Sequence, residues 1–195
     1  MVQKKKQFKK KKSSSKNKAS TDKNILDEII RVDHAGEHGA IAIYKGQLSA
    51  LSLIGDKKTS SIISEMAEGE KAHAKEFDRL VKERKTRPTA LMPLWSLAGY
   101  TLGVISVIGG KDSVMACTEA VEDVIDKHYS DQIEELESSG KEQDILKTIK
   151  KFHAEEVEHE KIAKNEITEN TPTLKIFKKL VGIGCKTAIN LSEKI

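Results

Sequence analysis

Residues 70–73 read EKAH and residues 156–159 read EVEH. One Glu-x-x-His is weak evidence in a chain rich in Glu. The spacing around the two is what decides. Glu37 precedes Glu70 by 33 residues, and Glu122 precedes Glu156 by 34. Tyr44 and Gln47 follow Glu37 at offsets 7 and 10, and Tyr129 and Gln132 follow Glu122 at the same offsets. Ala35 and Ala120 each lie two residues before their Glu. The chain therefore contains an internal repeat, and each copy is a pair of segments.

The apolar residues around these motifs recur at three and four, the period of a helix. Ile25, Ile29, Val32, Gly36, Ala40, Ile43 and Leu48 mark a first helix over about 24–52. Ile62, Ile63, Met66, Phe77 and Leu80 mark a second over 59–83, which Arg87-Pro88 stops. A third runs over about 111–138 to Ser139-Gly140, and a fourth over 142–169 before Pro172. No stretch alternates with period two for long enough to make a good strand. The expected fold is all-α: a ferritin-like four-helix bundle with pseudo-two-fold symmetry over residues 24–195.

On a helix, residues i and i+3 share a face. Glu70 can then work with His73, and Glu156 with His159, while Glu37 and Glu122 project from the partner helices. Four carboxylates and two imidazoles form the ligand set of di-iron and di-manganese bundles. Bridging carboxylates offset the repulsion between two close cations, and carboxylate with imidazole suits iron or manganese better than thiolate-rich zinc sites. Burying four carboxylates without cations would be very costly. The expected metal ligands are Glu37, Glu70, His73, Glu122, Glu156 and His159, holding two ions of iron or manganese.

Other histidines break the repeat. His34, His38 and His153 are expected at the surface or behind the ligands. His128 sits six residues after Glu122, beside Tyr129, where the first copy has Ile43. A polar group at an otherwise apolar position fits either proton or electron transfer or an ordinary core histidine.

Two further segments lie outside the bundle pattern. Thr89–Gly110 (TALMPLWSLAGYTLGVISVIGG) is 22 residues without a charge, broken by Pro93 and four glycines. It is long enough to span a bilayer, or it is the buried connection that a long-crossover bundle needs. A single crossing would separate the two copies and abolish the shared site. The segment is therefore expected to touch the membrane from one side, with Trp95 and Tyr100 as interface anchors and Gly99-x-x-x-Gly103 as a helix-contact motif. Residues 173–195 form an amphipathic, basic C-terminal helix that fits packing on the bundle, a membrane surface, or both.

The net charge of +4 is unevenly distributed. Residues 1–24 carry ten Lys against Asp22 alone, so the rest of the chain is acidic, at −5. An acidic folded part argues against nucleic acid as a partner. The Lys-rich stretch lacks an apolar core, arginines and amphipathic spacing, so it resembles neither a signal peptide nor a mitochondrial presequence. Residues 1–23 are expected to be a disordered tail, solvated or in contact with anionic lipid. Cys117 and Cys185 form no C-x-x-C and read as buried small hydrophobes.

The stretches IIRVDHAGEHGA, EKAH, RPTALMPLW, MACTEAVED, HYSDQI, EEVEH and GCKTAINLSEKI together resemble the demethoxyubiquinone hydroxylase family. The resemblance covers about residues 24–195. It implies two Fe ions, with Glu37 and Glu122 as terminal ligands, Glu70 and Glu156 as bridges, and His73 and His159 as the terminal nitrogens. It also places His128 and Tyr129 on the family's His-Tyr pair near iron and quinone. The implied reaction is hydroxylation of a polyprenyl demethoxyubiquinol by O2 in ubiquinone biosynthesis. The implied setting is a peripheral or monotopic enzyme on a membrane surface, beside other ubiquinone-biosynthesis proteins. The expected side is the cytoplasmic face of a bacterial cell membrane rather than the matrix face of a mitochondrial one. The resemblance also implies electrons from NADH through the quinone, although no nucleotide fingerprint is present. The rival readings are a soluble ferritin-like protein that stores iron or reduces peroxide, and a membrane scaffold without enzymatic activity. Neither a store nor a peroxidase would need an uncharged 89–110.

Overall fold

The computed structural model describes residues 23–195 with their side chains. The expected disordered tail falls on residues outside this part, apart from Lys23. The elements are α1 (Val2–Ile54), followed here from Lys23, then α2 (Lys57–Arg84), α3 (Met92–Ile108), α4 (Gly110–Ser139), α5 (Gln143–Glu166) and α6 (Pro172–Ser192). Among the described residues there is no strand, as the helical periodicity requires.

The helix ends follow local chemistry. Asp56 caps α2 by accepting from the backbone N–H of Thr59 at 3.0 Å, which satisfies one of the donors that a helix start leaves free. Lys85 closes the same helix in a left-handed conformation, its N–H bonded to the Val81 carbonyl. Gly140 ends α4 at φ 64°, where a residue without Cβ costs least. Thr171 caps α6 by accepting from Leu174 N at 3.2 Å, and Pro172 occupies the first turn, where its missing N–H does no harm.

Helices α1, α2, α4 and α5 make the bundle. Two of its apolar clusters flank the site of the repeat. One holds Ile30, Phe77, Leu80, Ile145, Ile149 and Phe152. The other holds Tyr44, Leu51, Ile63, Met66 and Met115. Along every one of the four helices, the Glu and His positions of the repeat fall between these clusters. Each fully buried large apolar side chain contributes about 1.5–3 kcal/mol. The two clusters thus clamp the polar layer from both ends.

Helix α3 lies along α1 rather than in the bundle. The approach is close because of glycine: a Cβ at Gly103 would overlap the Ile43 carbonyl, and one at Gly46 would overlap the Tyr100 carbonyl. Gly99 and Gly103 are thus a contact surface within the chain. No described helix is long and apolar enough to cross a membrane. Outward, α3 exposes Leu94, Leu97, Ile105 and Ile108.

Replacing Gly103 by Ala should force α3 away from α1 and cost at least roughly 1–3 kcal/mol of stability. A Cβ at Gly184 meets nothing within 4 Å, so Gly184→Ala should be neutral or gain up to about 1 kcal/mol in its helix. Urea melts of the two variants check this contrast, and equal midpoints would contradict it.

Candidate metal centre

Glu37 from α1, Glu70 and His73 from α2, Glu122 from α4, and Glu156 and His159 from α5 converge in the polar layer. The four carboxylates and His73 are buried. Two sets of donor atoms form, each with all its atoms within 4.8 Å of one another. One set is Glu37, Glu70, His73 and Glu156; the other is Glu70, Glu122, Glu156 and His159. Glu70 and Glu156 belong to both sets. His73 Nδ1 lies 2.9 Å from Glu156 Oε1, and His159 Nδ1 lies 3.1 Å from Glu70 Oε1.

The repeat is reciprocal in space. The Tyr44 hydroxyl donates to Glu122 Oε1 at 2.9 Å, and the Tyr129 hydroxyl donates to Glu37 Oε1. Each half thus orients the other half's Glu. Burial and the adjacent Glu122 and Glu37 carboxylates push both phenols well up, so they remain donors.

The electrostatics mark a place for cations. Burial drives Glu37 and Glu122 well above the ordinary carboxylate range, and the neighbouring carboxylates Glu70 and Glu156 add to this in both cases. Burial pushes Glu70 up as well, but the imidazoles of His159 and His73 outweigh it and bring it to about 2. Burial presses His73 down, yet the carboxylates of Glu156, Glu37 and Glu70 hold it far above its ordinary value. His159 is treated the same way by Glu156 and Glu70 and reaches about 9. His73 Nδ1 and Glu70 Oε1 are buried at ion-pair distance from Glu156 and His159 but without hydrogen-bond alignment. A pair of divalent cations would satisfy these atoms and replace the protons, so the donor set fits the metals that four carboxylates and two imidazoles favour.

The other singled-out histidines fall elsewhere. His34 is buried, and His34 Nε2 and His38 Nε2 both face Asp78 Oδ1, at 2.9 and 3.1 Å. His153 lies against Asp126. His128 Nε2 is 2.8 Å from Gln132 Nε2 and 3.4 Å from Asp33 Oδ1. Burial presses its imidazole down, but Asp33 outweighs this and raises it. Asp33 and Glu155 are site residues that the spacing did not single out. Asp33 had a legible sign, a carboxylate one turn before Glu37 on an apolar face. Glu155 had none, because it stands in a run of exposed-looking acids.

Two cavities complete the site. A small one, about 30 Å³, touches Glu37, Glu70, Glu122, Glu156, His128 and Tyr129. A larger apolar chamber of about 610 Å³ is walled by α1, α3, α4 and α6. Val32, Gly36, Ala40, Val121, Ile125 and Ile189 line both, so the chamber abuts the carboxylate layer.

Residues 24–192 match the model of the family described as Ubiquinone biosynthesis protein COQ7. The chain belongs to this family. A Dictyostelium discoideum relative, the mitochondrial NADPH-dependent 3-demethoxyubiquinone 3-hydroxylase, is 44% identical over 91% of this chain and 81% of its own. The Homo sapiens protein of the same name is 43% identical over 87% of this chain and 78% of its own. The 3-demethoxyubiquinol 3-hydroxylase of Rhodospirillum rubrum is 38% identical over 88% of this chain and 79% of its own.

The charge analysis gives a direct test. Glu122→Gln should leave the metal-free chain as stable as the original or more so, because it removes one carboxylate from a repelling group. The same change should reduce the stabilisation by divalent cations, which for a single site reaches about 2.7 kcal/mol at one hundred times Kd. Thermal melts with chelator and with added Co(II) compare the two. A large loss of stability in chelator would refute the repulsion.

Proposed function

We propose that this chain hydroxylates the ring of a polyprenyl demethoxyubiquinol with O2, using two iron ions held by the polar layer. The observation that carries the reading is the apolar chamber sharing a wall with the carboxylate cluster. A soluble iron store or peroxide-reducing protein has no need of such a chamber, and the names of the relatives do not favour it.

In this reading Glu37 and His73 would help hold one iron and Glu122 and His159 the other, with Glu70 and Glu156 available to both. Two ferrous ions bound there would supply two electrons, which together with two protons allow one atom of O2 to enter the ring and the other to leave as water; NADH or NADPH would restore the electrons. The side chains do the rest. Tyr44 and Tyr129 fix the terminal carboxylates by their hydroxyl protons. The chamber binds the quinol and excludes water, with Trp95, Leu102 and Phe177 among its apolar walls. His128, held by Asp33 and facing the small cavity beside Tyr129, carries a proton between solvent and the site.

The quinol's tail requires contact with lipid. Leu97 and Ile108 on α3 and Ile176 and Leu180 on α6 are all more than half exposed, and Leu180 is also a wall of the chamber. Lys175, Lys179 and Lys186 are exposed on α6 beside them. This face is read as a peripheral membrane contact, with the bundle on the cytoplasmic side of a bacterial membrane. An apolar surface flanked by lysines favours an anionic bilayer.

The decisive assay supplies demethoxyubiquinol, ¹⁸O2 and either NADH or NADPH to the iron-loaded chain. A product one labelled oxygen heavier is expected. Glu70→Ala and Glu156→Ala should lose iron and activity, whereas Glu158→Ala, whose side chain is 63% exposed, should lose neither. His128→Ala should keep both irons and turn over more slowly. Equal iron in all four variants would defeat the ligand assignment, and unlabelled or absent product would defeat the reaction.

The membrane face is tested separately by flotation with vesicles containing phosphatidylglycerol. The chain should float with the vesicles, and Leu97→Glu combined with Ile176→Glu should remain in the dense fraction with its iron intact. Continued flotation of the double variant would remove this face from the account.

A further inference from the structure

The two copies of the repeat differ in what stands behind their histidines. The residue before each shared carboxylate is Glu155 in one copy and Gly69 in the other. Each faces the histidine of the opposite copy. Glu155 Oε2 lies 2.8 Å from His73 Nε2, on the far side of the ring from the carboxylate cluster. Its other oxygen lies 3.6 Å from Lys151 Nζ. Phe152 stacks on the same imidazole at 4.0 Å between centroids. His73 is thus held on its face and on its outer nitrogen, and its side chain is 2% exposed.

His159 has no such support. A Cβ at Gly69 would sit 3.3 Å from His159 Cε1 and 3.4 Å from His159 Nε2, so Gly69 occupies the place that Glu155 occupies over His73. Glycine has nothing to offer the ring. Among the described residues no side chain bonds to His159 Nε2, and the His159 side chain is 14% exposed. One copy of the repeat carries a carboxylate behind its neighbour's imidazole and the other leaves open space.

We propose that Glu155 is a positioning residue that makes the two metal positions unequal. The ion served by His73 is held tightly and the ion served by His159 is the exchangeable one. This rests on the metal reading given under the proposed function. The physical cause is general. A carboxylate that accepts a proton from the outer nitrogen of a ligating imidazole fixes its tautomer and orientation and makes the inner nitrogen a stronger donor, and losing such a partner typically weakens metal binding about 10- to 100-fold. Glu155 does this for His73 Nδ1. His159 is free to change tautomer and to rock, so its ion has the weaker hold and is the one that departs or accepts a new ligand first.

The test is an anaerobic titration of the metal-free full chain with Co(II) against a competing chelator. Bound cobalt is counted per chain, and its visible ligand-field bands report the geometry of each step. The original chain should bind two ions with clearly separated affinities. Glu155→Ala should weaken the tighter step by about 10- to 100-fold and bring the two steps together, with a change in the bands of the first ion only. Glu155→Gln keeps an acceptor without the charge and should fall between. Gly69→Glu places a carboxylate at the symmetry-related position and should tighten the weaker step. Glu155 is 44% exposed, so these variants should fold, and far-ultraviolet circular dichroism verifies it. Two steps of equal affinity in the original chain, or a Glu155→Ala chain that loses affinity equally at both steps or at neither, would overturn the inference and leave the metal reading standing. A chain that binds no cobalt at all would overturn both.

Discussion

Two like charges 4 Å apart repel by about 4 kcal/mol at the effective dielectric of a protein, and here four carboxylates share one buried layer. Everything around them reads as a response to that repulsion. The two imidazoles stand among the carboxylates rather than beside them. The two tyrosines donate across the pseudo-dyad, each to the Glu of the other half. The apolar clusters on either side supply the burial energy that holds the layer together when no cation is present. Burial raises Glu37 and Glu122 until the proton is their cheapest counter-ion, and a divalent cation is a better one.

The reciprocity has a second effect. Because Tyr44 holds Glu122 and Tyr129 holds Glu37, neither helix pair has a complete site by itself. Assembly of the polar layer and docking of the two pairs are one event. Ions that bind the layer therefore stabilise the docked bundle as a whole.

Much of this was legible in the sequence because a repeat doubles its own signal. Glu37, Glu70 and His73 would have been lost among other acids had Glu122, Glu156 and His159 not matched them at nearly the same spacing. The helix boundaries were legible from Pro88, Gly140 and Pro172, which act on the backbone nearby. What the pattern hid depends on pairing between distant residues. Glu155 looks like any acid in a charged helix until His73 is placed 2.8 Å away. His34 could be read only as lying at the surface or behind the ligands, because its partner Asp78 comes from another helix. In the 89–110 segment Gly99 and Gly103 were legible as a helix-contact motif, but neither the motif nor the hydropathy could show that they would seat it against Gly39 and Ile43 of α1.

The chamber has two kinds of wall. The carboxylates and imidazoles come only from α1, α2, α4 and α5, whereas the chamber also takes residues such as Leu102 from α3 and Phe177 and Ala188 from α6. Selection can therefore act on the two functions with different residues. A larger or smaller side chain at Leu102 or Phe177 changes what the chamber admits without replacing any residue of the polar layer. With the quinol in the chamber, as proposed, its fit can drift on two peripheral helices while the four that bear the charge stay as they are.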